Sequence, residues 1–289
     1  MPALGIQALK RRIRSVENTA QITRAMKLVA GAKLRRAQER AEQSRRYFET
    51  IRATMARAAE SAGSMTRSPL LEEREVHREG FVVVSSDRGL AGPFNANVLR
   101  LAAEQMRRAP GSGAAFAVGR KARDAYRRRG VPMLGEFIHL GDDPHYFQAK
   151  AIADAIIAQY LTGEVDRVTL VYTEFINAMV QRPKAVTILP MSTEALRGDR
   201  EEGAVLYMFE PDPETVLADL IPRYVEVVLY GALLESKASE HGARMTAMDA
   251  ATKNSEELLR TMTLTRNRLR QAAITREIAE LVGGAAALE

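Results

Sequence analysis

The sequence predicts an α/β insert, a Rossmann-like sheet with flanking helices, between two long terminal helices that form an antiparallel coiled coil. Three observations predict it. An apolar repeat spaced alternately by four and three residues runs from Leu9 to Ala62. A second, proline-free repeat begins at Arg223. Between them, short apolar runs alternate with helical stretches, the pattern of a parallel sheet with crossover helices.

The first repeat passes through Leu9, Ile13, Val16, Ala20, Thr23, Lys27, Ala30, Leu34, Ala37, Ala41, Ser44, Phe48, Ile51, Met55, Ala58 and Ala62, and only Thr23, Lys27 and Ser44 are polar. No proline interrupts it, and Gly31 is the only glycine inside it. A 3.5-residue period held this long signals a supercoiled helix, here roughly 80 Å long, which needs a partner along its seam. The predicted N-terminal coiled-coil helix therefore spans 1–62, and a link with Gly63, Ser64, Ser68 and Pro69 fills 63–79.

From 80 to 209 the period changes. Strands are predicted at 81–86, 114–119, 136–140, 167–175, 185–191 and 205–209, and helices at 95–109, 121–130 and 147–161. The order implies parallel strands with an antiparallel pair near the end, and residues 192–204 read as a polar loop. The last segment, 210–289, opens with Asp212 as N-cap and Pro213 as first helical residue. Pro222 is expected to kink or restart this helix. Its seam runs through Val227, Leu234, Ala238, Met245, Met248, Leu259, Met262 and Leu269. The phase then shifts to Ile274, Ile278, Leu281, Ala285 and Leu288, and "LVGGAAAL" (281–288), including Val282, carries no charge. Such an apolar end requires an enclosing socket.

With 289 residues, 46% apolar and 27% charged, the composition is that of a globular chain. The net charge of +6 suits an acidic partner. The absence of cysteine excludes disulfides and thiolate metal sites and suits a reducing compartment. No apolar stretch is long enough to span a bilayer, and the N-terminus does not read as a secretory signal.

The motif with the strongest chemical suggestion is "SSDRGLAGPFNANV" (85–98), a strand-to-helix turn. A dinucleotide site wants G-x-G-x-x-G, and a P-loop wants a closing Lys and hydroxyl; here only Gly89 and Gly92 occur, and Pro93 follows. Asp87 repels a phosphate unless Arg88 offsets it. The alternative is that Gly89 and Gly92 shape a tight turn while Asn95 caps the next helix. "HLGDDPHYF" (139–147) groups His139, Asp142, Asp143 and His145, residues that bind zinc or manganese elsewhere but equally serve turns and helix caps. No catalytic signature is present, and no metal or cofactor is expected on this chain. The basic clusters, "RKARDAYRRR" (120–129) among them, read as a solvated helix face, and without interleaved aromatics they do not mark a nucleic-acid site.

Three motifs together carry a family resemblance. "IRSVENTAQITRAMKLVAGAKLRRAQ" (13–38), "SSDRGLAGPFNANV", and the pair "SEHGARMTAMDAATKNSEELL" (239–259) and "RNRLRQAAITREIAELVGGAAAL" (266–288) resemble the gamma subunit of bacterial F-type ATP synthase from near residue 4 to the end. Ala91 and Pro93 depart from the family's usual turn, and the cysteine-bearing insertion of chloroplast members is missing. The resemblance implies a rotor shaft inside a ring of alpha and beta subunits. It implies a foot that joins the epsilon subunit and the membrane-embedded c ring, on the cytoplasmic face of the bacterial plasma membrane. ATP, ADP and Mg would sit on the alpha and beta subunits. It also implies that Arg270 and Gln271 meet an acidic loop of beta and that Met26 faces the same region; Lys27, which breaks the seam beside it, is read as exposed to that loop, the alternative being that Lys27 snorkels off the coil and Met26 only packs it. Ile278, Leu281, Val282, Ala285 and Leu288 are read as an apolar bearing tip, and Asp87, Arg88, Gly89 and Gly92 as a foot-domain turn. Two rivals remain: a nucleic-acid-binding coiled coil and a nucleotide-dependent enzyme built on the insert.

Overall fold

The computed structural model describes residues 2–62, 68–191, 210 and 212–286. The strand predicted at 205–209, the loop 192–204 and Leu288 lie outside them. The fold divides into two compact units, one of residues 1–29 with 245–289 and one of residues 30–244. Two helices contribute to both: α1 (Pro2–Ala62, 61 residues) and α5 (Pro213–Ala286, 74 residues). Along α1 every predicted seam position from Leu9 to Met55 is buried or half-buried, as the apolar period requires.

In the first unit, α1 and α5 meet through polar side chains on the seam. The Thr23 and Thr252 hydroxyls lie 2.8 Å apart, both buried. Thr23 donates to the Ala20 carbonyl, so its oxygen is free to accept from Thr252. One turn further along α1, Lys27 reaches Asp249 at 2.6 Å, and Asp249 also holds Lys253. Arg24 pairs with Glu256 on the exposed flank. Two of the three polar interruptions of the repeat, Thr23 and Lys27, are thus positions where the two helices exchange directional bonds.

The second unit is built on five strands in the order β3-β2-β1-β4-β5. They are β1 (Arg78–Val84), β2 (Ser112–Val118), β3 (Met133–Phe137), β4 (Arg167–Phe175) and β5 (Gln181–Leu189). The first four are parallel and β5 is antiparallel to β4. Crossovers α2 (Phe94–Arg108) and α3 (Arg120–Arg129) join β1 to β2 and β2 to β3, and α4 (Tyr146–Leu161) joins β3 to β4. "FVVV" of β1 is buried on both faces, which is why it lacks alternation. Phe81, Val83, Ala115 and Ala117 pack under α2 and α3, with Val98, Ala102, Ala122 and Tyr126. Val82, Val84, Phe116 and Leu170 face the other way, into a larger core with Ile152 and Ile156 of α4, Met55 of α1 and Ile221, Val225 and Leu229 of α5.

β1, β2, β3 and β5 each begin and end earlier than the sequence reading has them, by one to four residues, and two of these boundaries have a local reason. β3 ends at Phe137, because His139 and Gly141 take positive φ of 63° and 77°. β5 starts four residues earlier than predicted, at Gln181, despite Pro183. Pro183 lies on an edge strand opposite Thr173, whose own N–H and C=O point to α5 instead. The missing donor therefore costs the ladder nothing. At Pro222 the helix does not restart: α5 continues through it from Pro213 to Ala286. A proline inside a helix costs about 3 kcal/mol, and burial of Ile221 and Val225 beside it, about 2 kcal/mol each, offsets that cost.

Thr23→Val or Thr252→Val alone is expected to lower stability by about 1 kcal/mol through loss of the bond between the helices, because the remaining hydroxyl keeps a carbonyl of its own helix, Ala20 for Thr23 and Met248 for Thr252, and the double Val variant should lose little more than either single one. A double-mutant cycle from urea unfolding measures the coupling.

Candidate functional site

Beyond the strand ends at β1 and β4 lies the crevice where Rossmann-type sheets hold a ligand, since α2 and α3 cross one face and α4 the other. Here that crevice receives α5. The register of β1 against β4 ends at Val83 and Val171, which leaves the Thr173 backbone open on that side. Ser236 of α5 accepts from Thr173 N at 3.3 Å, and Ser239 donates to Thr173 O at 3.2 Å. Two helix side chains thus complete the ladder that β1 abandons.

The glycine loop forms the other wall, and it spends its polar groups on its own chain. Asp87 Oδ1 accepts from Arg120 N at 2.9 Å, Ser86 O from Lys121 N at 3.1 Å, and Ser85 Oγ from Ala122 N at 2.8 Å. These are the first three amides of α3, the groups that would otherwise cradle an anion. Asn95 does not cap α2 as expected; its Oδ1 accepts from Ser86 N at 3.0 Å and so pins the loop. Gly92 has φ of 52°, but Gly89 is not left-handed, and Leu90 takes φ of 62° instead. The stricter requirement falls on Gly119, with φ of 90°, where a Cβ would sit 2.3 Å from Ser85 O.

Against this loop α5 presents a charged cluster almost wholly withdrawn from solvent. Glu240 is 3% exposed and accepts from Lys237 at 3.0 Å and Arg244 at 2.7 Å, while Arg244 also donates to Gly89 O at 3.2 Å. Burial pushes the Glu240 carboxyl up, yet Lys237 and Arg244 more than reverse this and hold it below the ordinary range. A buried carboxylate with two cations and a carbonyl to hand is a satisfied network. His241, 1% exposed, accepts from Arg244 at Nδ1 (3.4 Å), so its proton sits on Nε2, which has no partner. Burial pulls this imidazole down to about 4; Glu240 opposes the shift and Arg244 adds to it. Asp142, where burial is outweighed by its bond to Lys33, is likewise held below the ordinary value. Asp143 pairs with Arg40, and His145 takes part in the capping box of α4 with Gln148. The acidic and imidazole groups of 139–147 are therefore spent on helix contacts and a cap.

The remaining predicted residues fall on the terminal helices. Met26 is half-buried, and Lys27 is held by Asp249, an internal partner that the sequence did not reveal. Arg270 and Gln271 are both exposed. From Arg268 to Val282 only Ala273 is even half-buried, and Ile274, Ile278, Leu281 and Val282 are 48%, 56%, 75% and 64% exposed. Ala285 lies in the last turns of α5. Ile22 and Val29, 59% and 53% exposed, were not anticipated; each precedes a seam residue, and their seven-residue spacing was the available signal. Asp87, Arg88 and Gly89 meet α5 in the second unit, whereas Met26, Lys27, Arg270 and Gln271 belong to the first.

The chain is thus of the class in which an α/β domain is inserted between two helices of more than sixty residues, its Rossmann-type crevice occupied by the C-terminal helix. A sequence model of the ATP synthase family matches residues 5–288. The chain is 51% identical to the ATP synthase gamma chain of Desulforamulus reducens, over 97% of this chain and 98% of that one. It is 46% identical to the gamma chain of Pelotomaculum thermopropionicum over the full length of both. A sodium ion specific gamma chain of Acetobacterium woodii is 39% identical over 99% of each. Among solved structures, the Euglena gracilis mitochondrial ATP synthase OSCP/F1/c-ring in rotational state 3 contains a chain of the same fold, with a TM-score of 0.70 at 19% identity, covering 99% of this chain and 95% of that one. The chain belongs to the ATP synthase gamma family. No helix among the described residues is long and apolar enough to cross a membrane.

Gly119→Ala is expected to destabilise the second unit by about 3 kcal/mol, from a left-handed backbone and a forced shift of Ser85, read as a lower urea midpoint. His241 sets a pH dependence. Its folded value is about 4 against about 6.5 unfolded, so the unfolded chain binds more protons in that window. Stability then falls by about 3 kcal/mol as pH drops from about 6.5 to about 4. Glu240 and Asp142 act lower, losing their contribution only as pH falls through their depressed folded values. His241→Gln should flatten the upper window in urea titrations at stepped pH.

Proposed function

We propose that this chain is the central rotor shaft of a proton-translocating F-type ATP synthase. It carries torque from the membrane c ring to the catalytic beta subunits and so couples ATP synthesis to proton transport. The carrying observation is the opposed direction of the α1 and α5 contacts: from Thr23 to Lys27 on α1, the partners step back from Thr252 to Asp249 on α5. That direction supports an antiparallel coiled coil, and the coil's seam bonds would resist helix slippage under load. Solved structures of similar fold, which include a Tetrahymena thermophila mitochondrial ATP synthase central stalk with c-ring and a Euglena gracilis mitochondrial ATP synthase rotor, support the same role.

In this reading the catalytic sites lie on beta, and alpha and beta hold the nucleotide and Mg. The foot, residues 80–209 behind the link 63–79, joins the epsilon subunit and the c ring at the cytoplasmic face of the bacterial plasma membrane. The saturated amides of α3 and the α5-filled crevice support a glycine loop that acts as a socket for the shaft. Ile278, Leu281, Val282, Ala285 and Leu288 form the bearing tip, whose apolar contacts are non-directional and tolerate turning. Arg270 and Gln271 meet an acidic loop of beta, where an Arg fork makes a strong charge-assisted pair. Met26 packs beside it, and Lys27 shares itself between that loop and Asp249.

Co-expression with alpha and beta subunits should yield a complex whose ATPase activity requires this chain; a complex equally active without it would end the proposal. Arg270→Ala with Gln271→Ala should lower torque and coupled synthesis, with assembly intact.

A further inference from the structure

We propose that the outer helical face of the foot, formed by α2 and α3, is an electrostatic docking surface for an anionic lipid membrane. Residues 94–130 hold nine Lys or Arg against two acidic residues, Glu104 and Asp124, a net +7 that exceeds the +6 of the whole chain. Arg100, Arg107, Arg108, Arg120, Lys121, Arg128 and Arg129 are exposed. Among the described residues only Arg123 and Arg127 of the nine pair with a carboxylate, Asp124 and Glu136. α2 and α3 cover the same side of the sheet, while α4, α1 and α5 cover the other, so this charge is collected on one face.

Within that face the charge is densest at one end. In a right-handed β-α-β unit the helix runs against its strands, so the last turns of α2 and α3 lie where the parallel strands begin. Arg107 and Arg108 close α2, and Arg127, Arg128 and Arg129 close α3. The bond from Ser112 N to His77 O fixes the α2 end beside the start of β1. This edge is opposite the glycine loop and the docked α5. Cations in a last turn relieve the helix dipole, but that relief does not account for Arg100, Arg120 and Lys121.

The chemistry of the face selects its partner. None of the exposed large apolar side chains among the described residues falls between 94 and 130. Protein interfaces have a desolvated centre rich in aromatic and apolar groups, and single-stranded nucleic acid is gripped by stacking on aromatics; this face offers neither. A fluid sheet of phosphate headgroups needs only charge, and Arg binds phosphate well. Such attraction is laterally uniform and does not oppose turning. The choice of membrane over other polyanions rests on the rotor reading, which puts the foot beside a membrane-embedded ring.

The test is sedimentation of the full chain with vesicles of phosphatidylcholine, with and without phosphatidylglycerol. Binding should require phosphatidylglycerol and weaken at least tenfold as salt rises from about 0.01 to 0.1 M, which shortens the screening length from about 30 to about 10 Å. Each cation near such a surface is worth about fivefold. Replacing Arg107, Arg108, Arg128 and Arg129 together by Gln should therefore cost at least about fiftyfold. The same four replaced by Lys should retain binding. Circular dichroism checks that both variants are folded. The proposal is overturned if binding ignores phosphatidylglycerol, survives the Gln variant, or is abolished instead by Gln at Lys10, Arg11, Arg12 and Arg14. Tighter binding to duplex RNA than to vesicles, lost in the Gln variant, would also overturn it in favour of a nucleic-acid surface. None of these outcomes depends on alpha and beta, so a failed reconstitution and a failed vesicle assay are separate results.

Discussion

The second unit depends on the entry of α5 into the crevice beside β4. Without Ser236 and Ser239 the Thr173 backbone would be left open in a buried setting, a cost of several kcal/mol for the two groups together. Without Glu240 the buried Lys237 and Arg244 would lack their counter-charge. The helix thus completes a sheet, a salt-bridge cluster and a hydrophobic core at once. Each contribution requires the same placement, so the helix has one way to seat.

Much of this was written in the spacing of apolar residues. The seam of α1 could be marked residue by residue, because a 3.5 period and burial are two expressions of one geometry. β1 and β4 were equally plain, as β-branched runs between turn residues. What could not be read was who answers whom. Lys27 looked like a break in a seam until Asp249 was found opposite it. Asn95 looked like a cap, but its bond runs backwards to Ser86. His241 is deeply enclosed, which the residues beside it in sequence do not signal. The first four residues of β5 hid behind Pro183, since a local rule against proline in strands cannot know that the position opposite directs its amide elsewhere.

The glycine loop illustrates how a motif can mislead by being half complete. Strand, glycines and helix start are all present at 81–98, as in a nucleotide site. The decisive information lies in Ser85, Ser86 and Asp87, which satisfy three amides of a helix more than thirty residues away in sequence. Amides that would otherwise face an anion are here paired with acceptors of the chain's own backbone and side chains.

The order in which the chain leaves the ribosome gives the docking of α5 a further significance. The five strands are all synthesised before Ser236, yet β4 waits more than sixty residues for the hydroxyls that complete its edge. Until then the growing polypeptide carries an apolar groove lined by Val84, Phe94 and Leu140, ready to receive any amphipathic helix that passes. The groups that cover these side chains and complete the sheet thus all come from the last-made helix.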